Sequence, residues 1–174
     1  EIIGVDGAPI QGTLKYGDKN FKQHQAFLNE VNGTPRHKEI IDWFLTLPLW
    51  LDLPDIRVVH ACWHQRFMDY LKPLLATGNR LTAEMMVEAC KEPADEGEKD
   101  TEDASVFKAV EALTKGIEIP LPKGTTFKDK DGHERSRVRS RWWDTTAKTY
   151  PKAALLDEDI SSTLPADPIP EHAI

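Results

Sequence analysis

The sequence predicts a mixed α/β fold, on three observations. Apolar residues recur at helical spacing in residues 18–31, 35–47, 65–75, 82–89 and 106–115. Between the second and third of these runs, residues 49–53 and 56–59 read as two short strands turned by Pro54-Asp55. Further on, Asp131-Gly132 supplies a hairpin turn between residues 126–128 and a segment that alternates from Glu134 to Trp143.

Each element has its own signal. Asp18 is a candidate N-cap for the first helix, whose face carries Phe21, Phe27, Leu28 and Val31, and Asn32-Gly33 is its stop. Thr34-Pro35 opens the second helix as cap and first residue, and Pro48 ends it. Phe67, Tyr70, Leu71, Leu74 and Leu75 mark a third helix, interrupted by Pro73. After the turn at residues 77–80, Thr82 begins a fourth. Val106, Val110 and Leu113 mark a further helix ending at Gly116. Residues 1–20, with four glycines at spacings that make no dinucleotide fingerprint, read as a loop.

The bounds set by composition are simple. At 174 residues the chain is long enough for one domain or a large piece of a bigger one. It starts at Glu1 without an initiator Met and closes on a proline-rich stretch, which leads us to expect a fragment. A net charge of -7 argues against a general nucleic-acid binder. No apolar run approaches the roughly 20 residues that cross a bilayer, so no membrane partner is expected. The two cysteines, Cys62 and Cys90, make no disulfide framework and read as reduced thiols of a cytoplasmic protein. Residues 92–103 form an acidic run expected to be a mobile surface loop, and residues 151–174 an extended proline-rich tail.

Two places carry potential chemistry. The first is His60, where the run Ile56-Arg57-Val58-Val59 stops. An imidazole at the carboxyl end of a buried strand stands where open α/β sheets place their sites. The plainer reading makes it a strand cap satisfied by a carbonyl. Beside it, Cys62 reads as a small buried residue, or as a thiolate nucleophile if His60 or His64 lowers its pKa. The second place is the alternating segment, in which Arg135, Arg137, Arg139 and Arg141 share one face. Arginine forks suit phosphate oxygens. A solvated strand neutralised by Asp129, Glu134 and Asp144 is the competing reading.

In combined order, KNFKQHQAFL, LPLWLDLPDIRVVHACWH and KGIEIPLPKGTTFKDKDGHERSRVRSRWWD resemble the bacterial calcineurin-like metallophosphoesterases. The nearest group is the serine/threonine phosphatase-like or diadenosine-tetraphosphatase-like one. The resemblance implies part of a two-sheet α/β sandwich with a helical insertion, residues 1–174 forming the middle and C-terminal portion of one domain. It also implies a site of two divalent metal ions, of the Mn, Fe, Zn or Ni type, acting on a phosphorylated small molecule or phosphoprotein.

The family's N-terminal motifs G-D-x-H-G, G-D-x-x-D-R-G and G-N-H-E do not occur here, and its final G-H loop is expected beyond Ile174. What matches is V-H-A, as Val59-His60-Ala61, so the resemblance makes His60 a metal ligand. The second nitrogen of that ring would need an acceptor, Asp52 or a backbone carbonyl. Arg139 and Arg141 are candidates for substrate phosphate contact on the alternation alone. The expectation is a metal-dependent phosphoester hydrolase when whole, with the fragment inactive. The alternative is a non-catalytic anion-binding or interaction module using the Arg135–Arg141 face.

Overall fold

The computed structural model describes residues 18–99, 101 and 103–170, which contain helices and three small antiparallel sheets. The glycine loop expected over residues 1–20 falls almost wholly outside them, as do residues 171–174.

Helices α1 (Asp18–Val31) and α2 (Pro35–Phe44) pack as a hairpin. Gly33 adopts φ 74°, which ends α1, and Thr34 returns its hydroxyl to the Val31 carbonyl at 2.6 Å. Pro35 takes the first helical position, where its missing N–H costs nothing. α2 stops three residues before the run predicted for it ends. Thr46 bonds back to the Trp43 carbonyl through both its N–H and its hydroxyl, and Pro48 disfavours helix just before it.

Strands β1 (Trp50–Asp52) and β2 (Arg57–Val59) form a two-stranded ribbon with Trp50 opposite Val59 and Leu51 opposite Val58. Trp50 and Val59 pack on the helices beneath. Leu51, Leu53, Ile56 and Val58 are exposed on the other face. The sequence reading placed His60 after a buried strand of an open sheet. Here that strand is covered on one side only, because apolar residues occupy both rows of the alternation while helices underlie just one.

Three helices support the ribbon: α3 (Gln65–Leu71), α4 (Ala83–Ala89) and α6 (Val106–Lys115), with α6 against the other two. Each starts on a side chain that accepts a backbone N–H: His64 from Phe67, Thr82 from Met85 and Ser105 from Lys108. Met68, Leu71, Ala109 and Leu113 close this core. Fully burying Leu71 and Leu113 contributes about 1.5–3 kcal/mol apiece.

The acidic run expected to be a mobile loop contains one helical turn, α5 (Glu96–Lys99). It is nucleated where the Asp95 carboxylate accepts the Gly97 N–H at 2.8 Å.

Strand β3 (Glu118–Pro120) pairs with β6 (Arg137–Arg139), and β4 (Phe127–Lys128) with β5 (Glu134–Arg135). The segment predicted as one strand therefore changes partner at Ser136, whose carbonyl accepts the Leu121 N–H. The 151–174 stretch, expected as an extended tail, forms two helical turns over its described part. These are α7 (Tyr150–Ala153) and α8 (Glu158–Ser161). It folds back on itself, with Tyr150 N–H to the Asp167 carbonyl and Ile169 N–H to the Lys148 carbonyl. Ala153, Ala154 and Leu164 are buried, and the Tyr150 hydroxyl donates to the Pro120 carbonyl at 2.6 Å. These apolar residues reach the core without any periodicity to announce it.

α6 joins the two cores. Ala109 and Leu113 face the ribbon's core, while Ala112 joins Ile119, Val138 and Tyr150 in the second.

Candidate functional site

Residues 60–64 leave β2 pinned almost atom by atom. The Ala61 N–H donates to the Leu113 carbonyl at 3.0 Å, tying the loop to the last turn of α6. Cys62 is fully buried in the second core. The Trp63 ring packs on the first core and carries the Arg57 guanidinium 5.0 Å above it. His64 caps α3 through Nδ1, which puts the proton of that neutral ring on Nε2. His60 is the exception. It is exposed, and among the described residues its ring meets no hydrogen-bond or ion-pair partner. Asp52, the acceptor considered for it, instead takes the Arg57 Nε–H at 3.1 Å.

Beside this loop α6 ends at Gly116, with φ 90° and ψ 165°. That region is open essentially to glycine alone. A side-chain carbon placed there would lie 3.9 Å from both the Ala61 Cβ and the Arg139 Cδ. Two features that the sequence presents far apart, the V-H-A loop and the arginine row, thus meet at one turn.

The four arginines differ in what holds them. Arg135 is bound to Asp129 Oδ2 at 2.8 and 2.6 Å through Nε and Nη2. Arg137 donates to the Glu118 carbonyl at 2.9 Å. Arg141 donates to the Leu156 carbonyl at 3.1 Å, its Nε buried without a partner. Arg139 faces Glu118 across the strand pair, with Nε to Oε1 at 3.5 Å, beyond the usual range of a good hydrogen bond. Among the described residues its two terminal nitrogens make no hydrogen bond.

The set of three metal-ligating side chains converging within 4.8 Å among the described residues is elsewhere, at Asp129, Asp131 and His133 in the β4–β5 turn. From sequence, Asp131-Gly132 reads as a turn and Asp129 as a counter-charge to the arginines, with no metal role for any of the three. Their Asp-x-Asp-Gly-His spacing was the available signal. Asp129 is already committed: Oδ1 accepts the N–H groups of Asp131 and His133, and Oδ2 takes Arg135. Partial burial pushes this carboxyl up, but Arg135 and those two N–H donors outweigh it and hold the pKa at about 2.

Burial alone pushes the Cys62 thiol up to about 12. A buried thiol that stays protonated at neutral pH does not fit the nucleophile reading. Two surface depressions, of about 320 and 410 Å³, lie beside α8 and around the 52–57 turn. Neither is lined by His60 or Arg139. No described helix is long and apolar enough to cross a membrane. Compared with known protein families, curated proteins and solved structures, the chain matches none.

Proposed function

We propose that the chain is part of a metal-dependent phosphoester hydrolase of calcineurin-like architecture, in which His60 is a metal ligand and Arg139 meets the substrate phosphoryl group. The observation that carries this reading is the exposed imidazole of His60, without a partner among the described residues, on a loop whose next residue, Ala61, shares the Gly116 turn with Arg139. The resemblance of Val59-His60-Ala61 to the family's ligand motif supports it.

Of the Mn, Fe, Zn or Ni ions expected, an imidazole suits Fe, Zn and Ni best, and Mn is held more by carboxylate ligands. One donor cannot hold two ions, so the site needs ligands in addition to His60. When bound, two such ions supply a water acidic enough to attack phosphorus and draw charge from the phosphoryl oxygens.

The chain's own residues do the positioning. The Ala61–Leu113 bond and buried Cys62 hold the His60 backbone, so its ring is presented at little entropic cost. Arg139 offers its terminal nitrogens to phosphate oxygens in a planar fork. Arg141 is spent on the Leu156 carbonyl, and its role here is to fix the turn after β6. The substrates that fit are phosphomonoesters, phosphoproteins or dinucleoside polyphosphates. The alternative, an anion-binding module spread along Arg135–Arg141, has less support because Arg135, Arg137 and Arg141 are engaged by protein groups.

The test is manganese-dependent hydrolysis of p-nitrophenyl phosphate by the full-length protein. Replacing His60→Ala should lower turnover by at least about 100-fold, since even residues that only support a ligand are worth about 10–100-fold. The 174 residues alone should show no turnover. Full activity in the His60→Ala protein would refute the assignment.

A further inference from the structure

We propose that Glu118 gates the anion site at Arg139, holding the guanidinium in place when the site is empty and competing with phosphate for it. This inference rests on the assignment of Arg139 as the phosphate contact and adds the residue that sets its affinity.

The geometry is that of a loose pair. Glu118 and Arg139 are directly opposed in the β3–β6 register, and their side chains are 48% and 54% exposed. The 3.5 Å separation is to Nε, the nitrogen on the inner edge of the fork. The terminal nitrogens stay available to a bidentate anion. Asp129 and Arg135 show the contrast, with two contacts under 3 Å that close the fork. Of the four arginines in the row, Arg139 therefore combines a contact weak enough to yield with a position next to the His60 loop.

A carboxylate at this distance has two effects on an incoming phosphate. It restrains the guanidinium, which reduces the ordering cost of binding. It also places a negative charge beside the anion and occupies part of the positive field. In a half-exposed cross-strand pair the second effect is the larger, because a single 3.5 Å contact orders the guanidinium little. Glu118 lowers affinity, so the site discriminates against weakly bound anions.

The measurement is binding of inorganic pyrophosphate to the 174-residue chain without metal, followed by amide shifts of Ala61, Gly116 and Arg139 in ¹H–¹⁵N spectra. Glu118→Gln keeps the shape and removes the charge. It should tighten binding about two- to fivefold, the size of an exposed ion pair converted to an affinity ratio. Glu118→Asp, whose carboxylate is drawn back, should fall between the two. Arg139→Gln should abolish the shifts.

Unchanged or weaker binding in Glu118→Gln overturns the gate, as does pyrophosphate binding that survives Arg139→Gln. The first result leaves the Arg139 contact standing. Neither touches the metal assignment, which is read from the His60→Ala hydrolysis experiment.

Discussion

Replacing Gly116 with alanine tests whether the His60 loop and Arg139 meet as described. The added methyl clashes with nothing, since its nearest neighbours, the Ala61 Cβ and Arg139 Cδ, lie at an ordinary 3.9 Å. The cost is conformational: φ 90° with ψ 165° is essentially forbidden to an L-residue, and holding one there costs about 1–3 kcal/mol. Alanine also narrows the unfolded ensemble, which returns about 0.4–1 kcal/mol. The net destabilisation is then about 1–2 kcal/mol, or roughly a 2–8 °C fall in Tm for a chain of this length. Thermal unfolding by circular dichroism reads the shift. The Ala61 amide, bonded to the Leu113 carbonyl just before Gly116, should move in the same variant. An unchanged Tm together with an unmoved Ala61 amide would mean that Gly116 does not make this turn.

Two further outcomes follow from the site geometry. Iodoacetamide at pH 8 should modify exposed Cys90 and spare Cys62 in the folded chain, since burial holds the Cys62 thiol near 12. Equal labelling of both by mass spectrometry would contradict its burial. The Asp129 carboxyl is depressed from an unfolded value of about 3.9, so its contribution to stability is complete above that value. It is lost as pH falls through about 2. A carboxyl ¹³C titration of Asp129 should show the low midpoint, and Arg135→Gln should raise it.

Much of the helical framework was legible because its signals are local. Thr34-Pro35, the Thr82 cap and Gly116 mark α2, α4 and α6 within a residue or two, and Asp131-Gly132 marks the β4–β5 turn. Long-range pairings were not legible. Alternation joined residues 134–143 into a single strand, but the exchange of partner at Ser136 depends on β3 and β4, which lie upstream. The same limit hid the distinctions within the arginine row, which depend on Glu118, Asp129 and Leu156. It also hid the juxtaposition at Gly116, since a glycine after a helix signals a stop without revealing which loops approach it.

Residues 151–170 failed for another reason. Turns as short as Tyr150–Ala153 and Glu158–Ser161 are below the length at which a helical period can be read, and Pro165, Pro168 and Pro170 after them suggest an extended chain. For the ribbon, sequence could identify the alternating rows of Leu51–Val58 and Trp50–Val59, but not which row the helices would cover.

The most direct test of the central claim, that His60 is presented to a metal, is paramagnetic broadening of amide signals on adding Mn²⁺ to the 174-residue chain. The His60 and Ala61 amides should broaden at manganese levels that leave the α4 amides sharp, and His60→Ala should remove the effect. Broadening that survives His60→Ala, or that is confined to residues 129–133, would contradict that claim.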